Sequence, residues 1–192
     1  MTIILPSLLL GLWFVIYKGV SIYYNLFMLK RRSYAGLVGL ILAYPVTHFL
    51  VQYIPNPLVP HANLAMNMIF PVLAGYFYGP LSGAFAGMLG TGISAVLVPD
   101  VYDALAILPH TFMGLAAGIA GNSQKQFLAA LSILVGHMLN ILFFWRLGEF
   151  VIENVSTLIL GLITETTIDM VAIILLIVLL QKIFYVNDEQ RW

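Results

Sequence analysis

Asn67 to Leu97 reads NMIFPVLAGYFYGPLSGAFAGMLGTGISAVL. Gly75, Gly79, Gly83 and Gly87 recur at every fourth position, and Gly90 and Gly92 follow on nearby faces. Glycine every four residues leaves a bare backbone strip along one side of a helix. In a membrane such strips let neighbouring helices approach closely. Small residues filling a crowded bundle account for the strip equally well. Gly79-Pro80 breaks the run: glycine permits a tight turn, and proline starts a helix well because its missing N–H is not needed there. The stretch therefore predicts two membrane helices joined by almost no loop.

The surrounding composition agrees. The chain has 192 residues, 61% hydrophobic and only 8% charged, with mean hydropathy +1.00. That is the composition of a single all-α integral membrane domain in a lipid bilayer. A net charge of zero gives no pull towards nucleic acid. The absence of cysteine excludes a disulfide framework, a thiolate metal site and a cysteine nucleophile. No basic first region or small-x-small cleavage signal marks the apolar start, so it is expected to be retained.

Working outward, seven segments are expected to span. Segment one runs from Ile3 to about Leu29, with Lys18 inside it, and ends at the basic cluster Lys30-Arg31-Arg32. Segments two to four are Ser33–Ile54, His61–Tyr78 and Pro80–Leu97; the first two are separated by a proline-rich loop. Segments five to seven are Ala104–Ala120, Phe127–Trp145 and Thr157–Gln181. Arg146 to Ser156 reads as amphipathic and interfacial. Segments four and five are short against the roughly 20 residues a span needs, so they are expected to be buried among the others. Basic residues favour the cytoplasmic side. With Lys30-Arg31-Arg32 inside, Lys125, Lys182 and Arg191 fall inside too, while Asp100, Asp103, Glu149 and Glu153 fall outside. This places the N-terminus outside and the C-terminus in the cytoplasm of a multi-pass cell-membrane protein.

Polar groups inside a membrane are costly and mark functional candidates. Asn67, His110, His137 and Glu165 lie on four segments, yet all fall about 9–13 Å below the outer surface at 1.5 Å per residue. A shared outward cavity explains the agreement; interhelical hydrogen bonding without a ligand is the alternative. His137, Asn140 and Phe144 share a helical side at i, i+3 and i+7, with Trp145 beside them. Glu165 and Asp169 are i, i+4, and two carboxylates on one face repel unless a proton or cation intervenes. Asp103 and His110 share a side of segment five with Gly114, and Tyr102 adjoins Asp103. His48 reads as an interface residue. Arg146 is the one strong cation in the outer half, so a neutral or cationic heterocycle stacked on Trp145, Tyr102 or Phe144 suits the site better than an anion. No metal or cofactor is expected.

The order apolar-Pro-x-x-x-Gly, then Gly-Pro-x-x-Gly-x-x-x-Gly, resembles the centre of the substrate-binding S-components of energy-coupling factor (ECF) vitamin transporters. Segments two to seven supply six helices with both ends cytoplasmic, as in that family, so residues 33–183 form the expected substrate-binding domain. Residues 1–32 are an added helix with its basic link, and 184–192 are a cytoplasmic tail. The resemblance implies a vitamin-like ligand held near the outer side. It implies docking to a transmembrane T-component through a small-residue stripe, here Ala35, Gly39 and Ala43, and energy from partner ATPase subunits. No Gly-x-x-x-x-Gly-Lys-[Ser/Thr] loop occurs in the chain itself, and no enzyme activity is expected. Three other readings compete. A scaffold of the rod-shape-determining membrane protein D type has related topology. An intramembrane protease of the CAAX type would need a Glu-Glu pair, which the chain lacks. A solitary secondary carrier would work without ATPases.

Overall fold

The computed structural model describes residues 34–51, 53–56, 65–99, 101–121, 125–148 and 155–189, with side chains as far as 182. Segment one and the basic cluster lie outside the described residues. Among the described residues there are six α-helices: α1 Tyr34–Val51, α2 Ile69–Tyr78, α3 Pro80–Leu97, α4 Val101–Gly121, α5 Gln126–Arg146 and α6 Val155–Glu189. A 3-10 helical turn, Met66–Met68, leads into α2. Lipid offers no hydrogen bonds, so apolar chain satisfies its backbone internally by forming helices.

The Gly-Pro turn forms as the sequence predicts. Gly79 takes φ 100° and ψ 172°, a conformation that side chains disfavour. Its N–H donates to the Gly75 carbonyl at 2.9 Å and ends α2. The Gly83 N–H donates to the Gly79 carbonyl at 3.0 Å, with Pro80 opening α3.

α2 is the axis of the bundle. Every residue except Phe70 is buried, and the helix packs against α1, α3, α4, α5 and α6. Its Val72, Leu73, Tyr76 and Phe77 meet Met113 of α4, Ala129 and Ile133 of α5, and Ile173 and Ile177 of α6. The glycine strip faces α4. A Cβ added at Gly75 or Gly83 would strike the Gly114 carbonyl, and one at Gly118 would strike Pro80. α4 thus lies in the groove between α2 and α3 with backbone against backbone.

Among the described residues five helices, α1 and α3 to α6, are long and apolar enough to cross a membrane. Segment four keeps its expected bounds and 18 residues, and segments four and five are the most buried of the five, as expected. Segment five is corrected, because it forms 21 helical residues and is not short. The short helix is α2, with ten residues. Hydropathy reads Asn67–Tyr78 as part of a span because a helix buried on all sides is as apolar as one in lipid. Elsewhere the expected bounds move by a few residues. No glycine or proline follows Gly161, so α6 continues to Glu189 and takes in most of the expected tail.

Candidate functional site

One end of the bundle gathers the last turns of α1, α3 and α5 with the beginnings of α2 and α4. A cavity of about 340 Å³ lies there, lined by Tyr44, His48, Asn67, Tyr102, Asp103, His110, Asn140 and Phe144 among smaller apolar residues. The glycine strip positions its floor. Gly87 admits the backbone of His110, and Gly90 seats Tyr44, whose Cβ would lie 2.8 Å from an added Cβ.

His110 is buried and engaged at both ring nitrogens. Its Nδ1 lies 2.8 Å from the Tyr44 hydroxyl and 2.9 Å from Thr91 Oγ1. Its Nε2 lies 3.2 Å from Asn140 Nδ2. Four helices, α1, α3, α4 and α5, thereby meet at one imidazole. The Asn140 amide has one remaining end: buried Oδ1 finds no partner among the described residues. Turning the amide over would exchange which atom faces His110, and the far end would still go unmatched.

A second cluster sits at the side of the cavity. Ser94 donates to Asp103 Oδ2 at 3.0 Å, and His48 Nε2 lies 3.3 Å from the same oxygen. Asn67 Nδ2 lies 3.1 Å from His48 Nδ1. With the Asn67 amide donating to Nδ1, the proton on the imidazole sits at Nε2 and points to Asp103. Asp103 also occupies the first turn of α4, where the helix N-terminus favours negative charge. Tyr102 and Phe144 stand edge to face, with ring centroids 5.2 Å apart and planes at 79°.

A third cluster joins α5 to α6. His137 Nε2 lies 3.2 Å from Asp169 Oδ2, and its Nδ1 lies 3.8 Å from Glu165 Oε2. Asp169 and His137 are buried. None of the three lines the cavity. Among the described residues no group of three or more His, Cys, Asp or Glu is placed to hold a metal ion.

Of the ten expected ligand-binding residues, the structure brings Asn67, Tyr102, Asp103, His110, Asn140 and Phe144 to the cavity. It sets His137, Glu165 and Asp169 in the separate pair of helices. Trp145 is 56% exposed and faces away, because one residue beyond Phe144 turns a further 100° around α5. His48, read as an interface residue, instead belongs to the Asp103 cluster. Tyr44, Thr91 and Ser94 were not singled out. Their signal was present: Tyr44, His48 and Val51 share one side of α1, and Thr91 and Ser94 continue the buried glycine side of α3. Of the small-residue stripe, Ala35 and Gly39 are exposed and Ala43 half-buried. An added Cβ at Gly39 meets nothing within 4 Å among the described residues, whereas one at Gly36 strikes the Tyr78 hydroxyl.

Among the described residues, five long apolar helices with a polar-lined cavity at one end of the bundle are the architecture of a multi-pass helical membrane protein. Compared with protein-family models, curated proteins and solved structures, the chain matches none.

Proposed function

We propose that this chain is a membrane-embedded substrate-binding subunit that takes up a vitamin-like small molecule, in the manner of an ECF S-component. The observation that carries the reading is the cavity: about 340 Å³ at one end of an apolar bundle, walled by polar and aromatic side chains from four helical elements. Small-molecule pockets fall at about 300–1,000 Å³ and combine apolar walls with a few convergent polar groups. A scaffold has no need of such a chamber. The cavity faces outward, the ligand is neutral or cationic, and partner T-component and ATPase subunits supply the energy. Ala35, Gly39 and Ala43 lie on the outer side of α1, where a partner helix can approach. Rocking of the bundle would then expose the cavity inward.

The test is mass spectrometry of small molecules retained by the full chain after purification in mild detergent. A stoichiometric heterocyclic metabolite, lost on Asn140→Leu, is expected. Retention of lipid and detergent alone would overturn the reading.

One observation favours a solitary carrier as the second reading. The His137–Glu165–Asp169 cluster places ionisable groups inside the bundle but outside the cavity, and intramembrane groups of this kind often serve as proton relays. Uptake by cells lacking every ATPase partner would select this reading over the first.

A further inference from the structure

We propose that α6 is the moving part of the bundle, and that Gln126, Gln181 and Tyr76 form the latch that closes it at the end remote from the cavity. This rests on the uptake reading above for its purpose, and it places the inward opening at the seam of α6 with α5 and α2.

The helices are joined in two different ways. α2, α3 and α4 meet backbone to backbone: an added Cβ at Gly75, Gly83, Gly114 or Gly118 would strike main-chain atoms of a neighbour. α6 packs chiefly on α5 and α2, and it does so through side chains. Its Ile173 and Ile177 share one apolar cluster with Ala129, Ala130 and Ile133 of α5 and Tyr76 and Phe77 of α2. Seams of side chains can slide and reseat, whereas interlocked backbones cannot. The glycine-locked helices thus form a fixed block, and α6 is attached to it from outside.

The seam finishes in a polar tie. Gln126 Nε2 donates to Gln181 Oε1 at 2.8 Å, and Gln181 Nε2 donates to the Tyr76 hydroxyl oxygen at 2.9 Å. One side chain of α6 is thereby held by α5 and α2 together. Lys125 and Lys182, the chain neighbours of the two glutamines, are exposed. Water can therefore compete for the tie, and the net worth of each bond is modest. Such a tie closes a seam and still lets it open.

The same seam carries unmet bonds. Asn140 Oδ1 on α5 and Thr166 Oγ1 on α6 are buried without a partner among the described residues. Thr164 and Thr167 donate to carbonyls four residues back; Thr166 does not. α5 and α6 run antiparallel, with His137 at Asp169 and Gln126 at Gln181. That register sets Asn140 level with Thr166. Unmet buried groups disfavour the closed arrangement. Latch and unmet groups therefore pull in opposite directions, which is the balance a two-state element needs.

The test uses single cysteines, since the chain has none of its own. The reporter is Ala129→Cys, buried in the seam, with Ala130→Cys as a second; the control is Ala86→Cys, equally buried in α3 within the fixed block. The full chain in detergent micelles is labelled with N-ethylmaleimide, and mass spectrometry reads the rates. Tyr76→Phe, which removes only the hydroxyl, and Gln181→Leu should each speed labelling of the reporters by about threefold to tenfold and leave the control unchanged. Adding Thr166→Val to Gln181→Leu deletes the unmet hydroxyl at nearly constant shape and should slow the reporters again. Unchanged reporter rates in both folded latch variants overturn the proposal. Equal acceleration of reporters and control overturns it too, because the whole bundle has then loosened. Either result leaves the ligand-binding reading standing. A latch that behaves as expected in a protein that retains no metabolite would keep the moving helix and remove that reading instead.

Discussion

Gly83 and Gly39 are the same residue type with opposite surroundings. A Cβ at Gly83 would meet only backbone, from Gly114 and Gly75, which has no rotamer with which to yield. At Gly39 it would meet nothing among the described residues. Gly83→Ala should therefore destabilise the bundle by about 1–3 kcal/mol, as overpacking does. Gly39→Ala should stay within about 0.5 kcal/mol, as at other exposed sites. Thermal unfolding in detergent reads both. Equal effects would mean that α3 and α4 are not in close backbone contact. Such differences are invisible in the sequence, where both glycines sit in four-residue repeats. Spacing shows that a strip exists; only the packing shows which strip faces inward.

α5 and α6 are joined by His137, set between Asp169 and Glu165. Removing one member of a largely buried polar cluster strands its partners, at about 1–3 kcal/mol, whereas replacing the whole cluster by apolar residues is often nearly neutral. His137→Leu should thus lower stability markedly. The triple variant His137→Leu, Glu165→Leu, Asp169→Leu should recover most of the loss in the same unfolding assay. A triple variant worse than the single one would show that the cluster stabilises the bundle in its own right. Helix existence and order at this scale were legible, because long apolar runs punctuated by Gly79-Pro80 and the loops leave little choice. The shortness of α2 was not legible, since hydropathy cannot tell lipid from protein as surroundings. Depth along the sequence also grouped Glu165 and His137 with Asn67 and His110. Depth is one coordinate, however, and rotation about the bundle axis put the first pair at the contact between α5 and α6, away from the cavity. Tyr44 and Thr91 escaped notice because a hydroxyl within an apolar helix reads as packing until its partner is known.

For the molecule as a whole, orientation decides what the cavity can meet. Lys125 and Lys182 lie at the end opposite the cavity, and Arg146 lies at the cavity end. The chain has no native cysteine, so single cysteines report cleanly. Tyr53→Cys, at a 72% exposed position near the cavity end, should react with an impermeant thiol reagent in whole cells, and Lys125→Cys should not. The reverse pattern would turn the cavity towards the cytoplasm. α2 carries a final consequence. With its leading turn it spans about 21 Å, against a hydrocarbon core of about 30 Å. The cavity sits over its start, so on the proposed reading a ligand bound there would lie well inside the membrane thickness. A transmembrane voltage drops mainly across the remaining insulating part. If the cavity opens outward as proposed, binding of a charged ligand should then be almost insensitive to voltage. Its onward passage should carry most of the electrical work, about 2.3 kcal/mol per charge for each 100 mV.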